Sequence, residues 1–331
     1  MMPGGARLQA LVRGLARRTV SRLGPPVSRS LHTLPYGDRL TRFLLEQTWT
    51  RGNAEMLDRY LVSGYQNPRI NVQSIVVRHF LISKLFGPHL DQMAENELRF
   101  AVELNEVLRR RASELGVRMG SYLDPAKHAA VQRVDEGIAD REQAFEARWR
   151  AELTERAAAP LRVLEFACGS ANDYRAFVAC GLARHLDYMG VDLTPKNIEN
   201  ARRRFPGARF EVGNILDLPY ADDSFDFVIA SDIFEHLAPD EMERALDEAC
   251  RLARRGVALS FFNMSQGPEH VVQRRRAYHW NRLSAPRVES HLRRHFPMVT
   301  TIPVATWLQD RFDYPHSYNR TAHTMFAESG E

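Results

Sequence analysis

The stretch "LRVLEFACGSANDY", Leu161 to Tyr174, contains the feature that decides the fold. It begins with a short apolar run carrying one acid, Glu165, and continues into the small residues of 167–171. Apolar runs of this length bounded by turn residues are typical of buried strands. The sequence therefore predicts a strand, a tight loop and a helix, with loop N–H groups near the helix N-terminus available to a ligand.

Apolar runs and amphipathic helical segments alternate through the rest of the chain. This alternation predicts the α/β class, with a Rossmann-like, seven-stranded, mostly parallel sheet and helices on both faces. Ligands of such sheets bind at the carboxyl ends of the strands. After the first strand, the predicted strands lie within 186–193, 208–215, 225–231, 256–263, 298–306 and 319–327.

The chain before Pro160 has a different pattern. Residues 38–159 place apolar side chains at helical spacing, as in "NVQSIVVRHFLISKLFG" from Asn71, and Gly87-Pro88 is typical of a helix boundary. We therefore expect an α-helical region at 38–159, acting as a lid or accessory domain or mediating dimerisation, ahead of a sheet domain at 160–331.

The first 37 residues contain six arginines and no acid. They are compatible with a disordered tail, a basic helix in peripheral contact with a membrane, or a mitochondrial transit peptide. The apolar stretch is too short and interrupted for a secretory signal. We expect a cytoplasmic protein, with the mitochondrial matrix as the alternative if this segment is a transit peptide.

Composition excludes several classes of protein. The 331 residues are 44% hydrophobic and 26% charged, without an apolar run long enough to span a bilayer. The net charge of +4 comes with arginine clusters that have acids nearby, which indicates solvated helix faces and does not favour nucleic-acid binding. Three widely spaced cysteines give neither a disulfide framework nor a zinc spacing, so we expect no metal. The sequence does not indicate an oligomeric state.

Three stretches follow one another in the order that a nucleoside-bearing cofactor requires. The loop of 167–171 is the first. The second strand ends in Asp192, 23 residues past Gly169, where a carboxylate can accept from both ribose hydroxyls. The third, "VGNILDLPYADDSFDFVIASDIFEHL", joins two strands through a loop where a helix would ordinarily lie, and such a loop suits the wall of an adenine site.

With these residues the segment 161–326 resembles the class I S-adenosylmethionine-dependent methyltransferases, of the broad methyltransferase-domain type that acts on small molecules. The family's first motif matches Glu165 to Ala171, its ribose acid matches Asp192, and its adenine segment matches 213–220. The resemblance implies S-adenosyl-L-methionine as cofactor. The cofactor-binding residues that it implies are Glu165, Phe166, Ala167, Gly169, Ser170, Asp192, Leu193, Asn214, Ile215 and Ser231.

The chain departs from the family pattern at a few positions. Ala167 and Ala171 replace glycines, which costs little if their φ angles are negative, and Asn214 replaces an aspartate. A nicotinamide dinucleotide is the competing cofactor, but Asn172 stands where its fingerprint needs a third glycine. Glu165 would also repel a pyrophosphate, whereas it would attract the methionine ammonium. These replacements leave open a non-catalytic scaffold that acts through the helical region.

The expected acceptor is a small or lipid-like molecule, and the methylated atom is not indicated. His236, just past the fourth strand, is the candidate base; a packing or capping role is the alternative. The segment after the fifth strand supplies candidate acceptor contacts, with an ordinary surface segment as the alternative. The candidate acceptor residues are Tyr174, His270, Tyr278, His279 and Trp280.

Overall fold

The computed structural model describes residues 69, 71–114, 141–275, 278–317 and 319–330, except for the side chains of 108 and 111–114. The predictions for the arginine-rich segment 1–37 lie outside these residues. The same holds for the helices expected at 38–68 and 115–140.

A seven-stranded sheet forms the centre of the described chain, in the order β6-β7-β5-β4-β1-β2-β3. Neighbouring strands from β3 to β5 are parallel, and β7 runs antiparallel to both β5 and β6. The predicted α/β class and mostly parallel seven-stranded sheet are therefore confirmed. The strands are β1 (Leu161–Phe166), β2 (Leu186–Asp192), β3 (Arg209–Val212), β4 (Phe225–Ser231), β5 (Ala253–Phe261), β6 (Met298–Pro303) and β7 (His323–Glu328).

Eight helices surround the sheet in the described residues. A 3₁₀ turn at Gly87–Leu90 separates the first two, at the Gly-Pro pair that predicted a boundary. The helices are α1 (Val72–Phe86), α2 (Asp91–Glu114), α3 (141–154), α4 (Asn172–Cys180), α5 (Pro195–Arg204), α6 (Pro239–Leu252), α7 (Ala285–Leu292) and α8 (Val304–Phe312).

The two faces of the sheet have separate hydrophobic cores because successive side chains of a strand point to opposite faces. In β1, Val163 packs with apolar residues of α1 to α5 and α8, whereas Leu164 packs with those of α6 and α7. Helix α1 is fixed to the sheet by Phe80, whose ring stacks on Phe326 at 4.4 Å. The helices before Pro160 thus share a core with the sheet.

Glu97 joins the three N-terminal helices. Its carboxylate, on α2, accepts hydrogen bonds from Arg78 of α1 at 2.6 Å and from the indole of Trp149 on α3 at 2.7 Å. His79 contacts the same carboxylate at 2.6 Å. Burial opposes ionisation, but the charge of Arg78 and the contact with His79 outweigh it and lower the pKa of Glu97 to about 2. A buried, ionised carboxylate therefore holds α1, α2 and α3 together.

One strand prediction was too long. The run predicted as a strand through 306 ends at Pro303, and α8 begins at the next residue. Val304 and Leu308 bury one face of this helix, so packing outweighs the strand tendency of its β-branched start. Within the ranges given above, no helix has the length and apolar character needed to cross a membrane.

Candidate functional site

The loop after β1 holds three alternate residues in the left-handed region. The φ angles are +51° at Ala167, +55° at Gly169 and +65° at Ala171, which is also the N-cap of α4. Alanine in place of glycine is expected to cost little stability if the φ angles are negative, but both angles are positive. In this region of φ the Cβ atom of an alanine clashes with the backbone. The chain keeps the loop conformation that glycine would adopt more easily, and it does so with local strain.

Asp192 fixes this loop from the end of the neighbouring strand β2. Its Oδ2 accepts from the N–H of Gly169 at 3.0 Å. Its Oδ1 accepts from the N–H of Thr194 at 2.8 Å and from the Asn197 amide at 3.1 Å. A carboxylate has about four acceptor positions, so one is left for a hydroxyl of a ligand. The residue predicted to bind a ribose also positions the backbone of the first motif.

A cavity of about 180 Å³ lies at the carboxyl ends of β1, β4 and β5. The start of α1 closes it, capped by the Asn71 side chain, which accepts from the N–H groups of Gln73 and Ser74. Gln73 is anchored by donating to the carbonyls of Phe261 and His323, at 3.2 and 3.0 Å. The lining comprises Asn71, Gln73, Ser74, Glu165, Ala167, Cys168, Gly169, Asn172, Asp173, Ser231, Asp232 and Ser260.

Three acids line this cavity, and none of its described lining residues is basic. Asp173 accepts from Ser74 at 2.9 Å and from Ser231 at 3.0 Å, so it bridges α1 and β4. Glu165 accepts from the hydroxyl of Tyr188 at 2.5 Å. Asp232 has a left-handed φ of +56°; protein atoms surround its carboxyl closely enough to desolvate it, although the residue is exposed at the mouth of the cavity.

Burial raises the pKa values of all three acids, and the charge of Asp173 adds to the shift in the other two. Burial and then the charge of Asp173 raise the pKa of Glu165 well above its usual range. Burial also raises the pKa of Asp173, although its two serine partners oppose the shift. The pKa of Asp232 is raised by burial and by Asp173. Such a cavity is poorly suited to an anion and favours a cation, whose charge would restore ionisation of the carboxyls.

The residues predicted for the adenine side lie along the open edge beyond β2 and β3. Leu193, directly after Asp192, is 69% exposed. Asn214 is exposed, and its side-chain oxygen accepts from the N–H of Leu216 at 3.1 Å. Ile215 is buried in the core. No helix forms between β3 and β4, as predicted, and the segment is a structured loop.

His236 lies in a group of aromatic rings past the ends of β4 and β5. Its ring centroid is 5.2 Å from Phe262, 5.6 Å from Tyr278 and 5.4 Å from Trp280. Its Nδ1 is 3.1 Å from the carbonyl oxygen of His279, so Nδ1 is the donor and Nε2 keeps its lone pair when the ring is neutral. Four of the sequence-predicted residues, 236, 278, 279 and 280, thus meet here.

The segment with these aromatic residues is not a helix. Arg274–Arg275 and Tyr278–His279 form a two-stranded antiparallel ladder outside the main sheet. Asn281 anchors its base by donating from its side chain to the carbonyl of Leu237 at 2.8 Å. Tyr278 and Trp280 are 50% and 42% exposed, so they form an open aromatic surface beside His236.

Other predicted residues lie away from the cavity. Tyr174 packs against Tyr188 at 4.4 Å and Phe205 at 5.2 Å, in an aromatic cluster behind the loop. His270 accepts from the N–H of Ser284 at 2.8 Å, which gives it a structural contact. Phe166 and Ser170 are buried, and Ser170 accepts from Arg204 through its carbonyl.

Several lining residues have no signal in the sequence motifs. Gln73 and Ser74 are 87 or more residues before the first strand, and only the fold brings α1 over the cavity. Asp173 and Asp232 each directly follow a motif position, but nothing in the local pattern shows which way their side chains point. The sequence offers only a general signal for them: each acid comes within seven residues after a predicted strand, and the carboxyl ends of parallel strands meet at one edge of the sheet.

Part of the sheet domain is similar to known proteins. Residues 163–256 match the family described as "Methyltransferase domain". A demethylmenaquinone methyltransferase of Clavibacter sepedonicus is 32% identical over 132 residues, which are 38% of this chain and 51% of that protein. One of Renibacterium salmoninarum is 31% identical over 114 residues, 34% of this chain and 46% of that protein. The chain spans about half the length of these curated relatives.

Solved structures give weaker likenesses. The 1,6-didemethyltoxoflavin-N1-methyltransferase of Burkholderia thailandensis has a TM-score of 0.39 and 20% identity, covering 63% of this chain and 91% of that one. An S-adenosylmethionine-dependent methyltransferase of Mesorhizobium loti has a TM-score of 0.39 and 16% identity, covering 51% and 91%.

Proposed function

We propose that the protein transfers a methyl group from S-adenosylmethionine to a small-molecule or lipid-like acceptor, and the match of residues 163–256 to the methyltransferase-domain family supports this. The observation that carries the proposal is the acid-lined cavity between the first-motif loop and the ends of β4 and β5. It lies where a sheet of this class binds its ligands.

The charges of the cavity fit this cofactor. S-adenosylmethionine has a sulfonium and an ammonium, and the cavity offers Glu165, Asp173 and Asp232 without an opposing basic side chain in its described lining. A dinucleotide would bring a pyrophosphate to the same carboxyls, and the repulsion would be strong in a partly buried site. The sign of the charge therefore supports the methyl donor over the competing cofactor.

The chain's own residues would hold the cofactor in distinct ways. Asp192 would accept from a ribose hydroxyl while it keeps the loop in place through Gly169. Asn214 would flank the base at the open edge, where it is exposed, and the acids would balance the cationic end. When bound, the cofactor supplies an electrophilic methyl group on a sulfur that leaves as a neutral thioether.

His236 is our candidate for the base at the acceptor. Its Nδ1–H is held by the carbonyl of His279, so Nε2 can take the proton that an acceptor hydroxyl or amine loses as the new bond to carbon forms. Phe262, Tyr278 and Trp280 would bind a flat or apolar acceptor beside it. The names of the two curated relatives support a quinone-like acceptor as the first to test.

The test is methyl transfer from S-adenosylmethionine labelled in its methyl group, with a short-chain demethylmenaquinone and a panel of phenols, amines and hydroxylated heterocycles. We expect label in at least one acceptor, with loss of transfer in His236→Gln while cofactor binding is kept. Transfer at the unaltered rate in His236→Gln would remove that residue from the chemistry. Absence of both binding and transfer in the unaltered protein would overturn the proposal.

A non-catalytic scaffold is the second candidate, and the strain at Ala167 and Ala171 favours it. Loss of catalysis would relax the need for glycine in the loop. This function would give cofactor binding without transfer to any acceptor, together with a stable partner captured through α1 and α2.

A further inference from the structure

Three potential metal ligands meet on the side of the sheet covered by α6 and α7. Asp247 lies on α6, His291 lies in the last turn of α7, and His295 follows one helical turn later. One oxygen or nitrogen from each lies within 4.8 Å of the other two. None of the three lines the cavity described above.

The geometry directs both imidazoles at one carboxylate oxygen. The Nε2 atom of His291 is 2.7 Å from Oδ1 of Asp247, and Nε2 of His295 is 3.1 Å from the same oxygen. The two rings are 5.7 Å apart at their centroids and tilted by 32°. His295 lies in the turn that follows α7, where its backbone N–H donates to the carbonyl of Leu292, so the four-residue spacing keeps its imidazole beside that of His291.

The ligand set selects a class of ion. Two neutral imidazoles and one carboxylate suit Zn²⁺ and similar first-row divalent ions, whereas Mg²⁺ and Ca²⁺ prefer an all-oxygen set. Bonds of about 2.0–2.2 Å in a tetrahedral site place ligand atoms roughly 3.3 Å apart. The two distances from Oδ1 of Asp247, 2.7 and 3.1 Å, therefore need to lengthen by roughly half an ångström or less, and water can take the fourth position.

We propose that Asp247, His291 and His295 form a divalent transition-metal site, of which Zn²⁺ is the representative ion. No spacing motif in the sequence indicates this site, because the carboxylate is 44 residues from the first histidine and no cysteine takes part. The site joins α6, which follows β4, to α7, which follows β5. A bound ion would therefore hold these helices together and stabilise the fold rather than take part in methyl transfer.

Arg294 opposes the ion in a way that can be tested. Its guanidinium contacts Nδ1 of His291, so it donates to that nitrogen and the proton of the neutral ring lies on Nε2. A metal at Nε2 moves this proton to Nδ1, where a second N–H cannot face the guanidinium. Arg294 is exposed and can turn away into solvent, but this turn and its positive charge both weaken binding.

The test is titration of the purified full chain, stripped of metal, with ZnCl₂ against a chromogenic zinc chelator, and with CoCl₂ followed by visible absorption. We expect one ion per chain, an affinity about 10-fold or more weaker in His295→Ala and in Asp247→Asn, and a higher melting temperature with Zn²⁺. Arg294→Ala should bind several-fold more tightly. His316→Ala and Asp240→Asn, on exposed positions elsewhere, are the matched controls and should bind as the unaltered chain does.

Two results would overturn the proposal. One is the absence of a stoichiometric ion at sub-millimolar Zn²⁺. The other is binding that is equally strong in His295→Ala and Asp247→Asn, which would put the ion elsewhere. His291 is buried, so His291→Ala is informative only if circular dichroism shows that the variant folds. The test therefore uses His295→Ala and Asp247→Asn, which change exposed residues. The readouts use no cofactor and are independent of the proposed methyl transfer.

Discussion

The N–H of Gly169 donates a hydrogen bond of 3.0 Å to Oδ2 of Asp192, so the loop after β1 and the acid at the end of β2 form one unit. The ribose-binding candidate is therefore also the residue that orients the loop. Its replacement should affect more than the contact with a ribose hydroxyl.

Replacing Asp192 with Ala should weaken binding of S-adenosylhomocysteine by about 10- to 100-fold, since hydrogen bonds to a charged group contribute about 1.5–3 kcal/mol. Isothermal titration calorimetry measures the change. Asp187→Ala, at the exposed start of the same strand, is the matched control because Asp187 pairs only with Arg209 in the described contacts. Equal affinities of the two variants would mean that the ribose is held elsewhere.

Replacing Ala167 with Gly should raise the free energy of unfolding by about 0.5–1 kcal/mol. The alanine has a φ of +51°, and relief of this strain exceeds the added flexibility of the unfolded chain. Ala179→Gly, inside α4, should lower it by about 1 kcal/mol, as glycine does in an ordinary helix. Urea denaturation measures both. Destabilisation of similar size in the two variants would show that Ala167 is not strained.

The α/β class and the seven-stranded sheet could be predicted from the sequence, because hydrophobic periodicity and turn residues indicate the order of strands and helices. Pro303 and Val304 show its limit: the helix after them depends on packing against the sheet, which no local pattern contains. The backbone strain in the loop after β1 could not be predicted for a similar reason, because the sequence does not show the sign of the φ angle of an alanine.

Binding of the cationic cofactor should release protons. Burial raises the pKa values of Glu165, Asp173 and Asp232, and the charge of Asp173 adds to the shift in the other two. A nearby cation lowers these pKa values, so its binding displaces protons from the carboxyls. Calorimetry near neutral pH in buffers with different heats of ionisation measures the number released. Affinity should rise with pH over the same range. Asp232→Asn should release fewer protons; uptake of protons on binding would contradict the assigned charges.

The same carboxyls should make the unliganded protein less stable at high pH. Their pKa values in the folded chain lie above those in the unfolded chain, so the folded state binds more protons and stability falls as the pH rises above the unfolded values. Glu235 adds to this effect, because burial and the charge of Asp232 raise its pKa. Melting temperatures from pH 5 to 9 should fall less steeply in Glu235→Gln; parallel curves would exclude Glu235 as a contributor.

Glu97 should behave in the opposite sense. Its pKa of about 2 lies below the ordinary value of 4.5, so its contribution is present above pH 4.5 and is lost as the pH falls toward 2. Glu97→Leu should cost about 3–5 kcal/mol, because the buried guanidinium of Arg78 loses this carboxylate. Arg78→Met combined with Glu97→Leu should recover part of the loss in urea denaturation. Additive losses would mean that the two residues do not depend on each other.

Some residues of the candidate site can be recognised from local sequence motifs, whereas others are brought to the site only by the fold. Glu165 and Asp192 lie at the ends of their strands and Gly169 lies just past one, in a spacing that already points to a nucleoside-bearing cofactor. Gln73 could not be found in this way, because it reaches the cavity from a helix that precedes the first strand by more than 70 residues. The opposite case is Tyr174, which the first motif suggested and which packs in the aromatic cluster instead.

The most direct measurement of the central claim is calorimetric titration of the unaltered chain with S-adenosylmethionine, S-adenosylhomocysteine and NADH. We predict one site per chain for the first two, with proton release on binding of S-adenosylmethionine and much weaker or no binding of the dinucleotide. Binding of NADH in preference to both, or no binding of either sulfur compound at millimolar concentration, would contradict the assignment of the acid-lined cavity to the methyl donor.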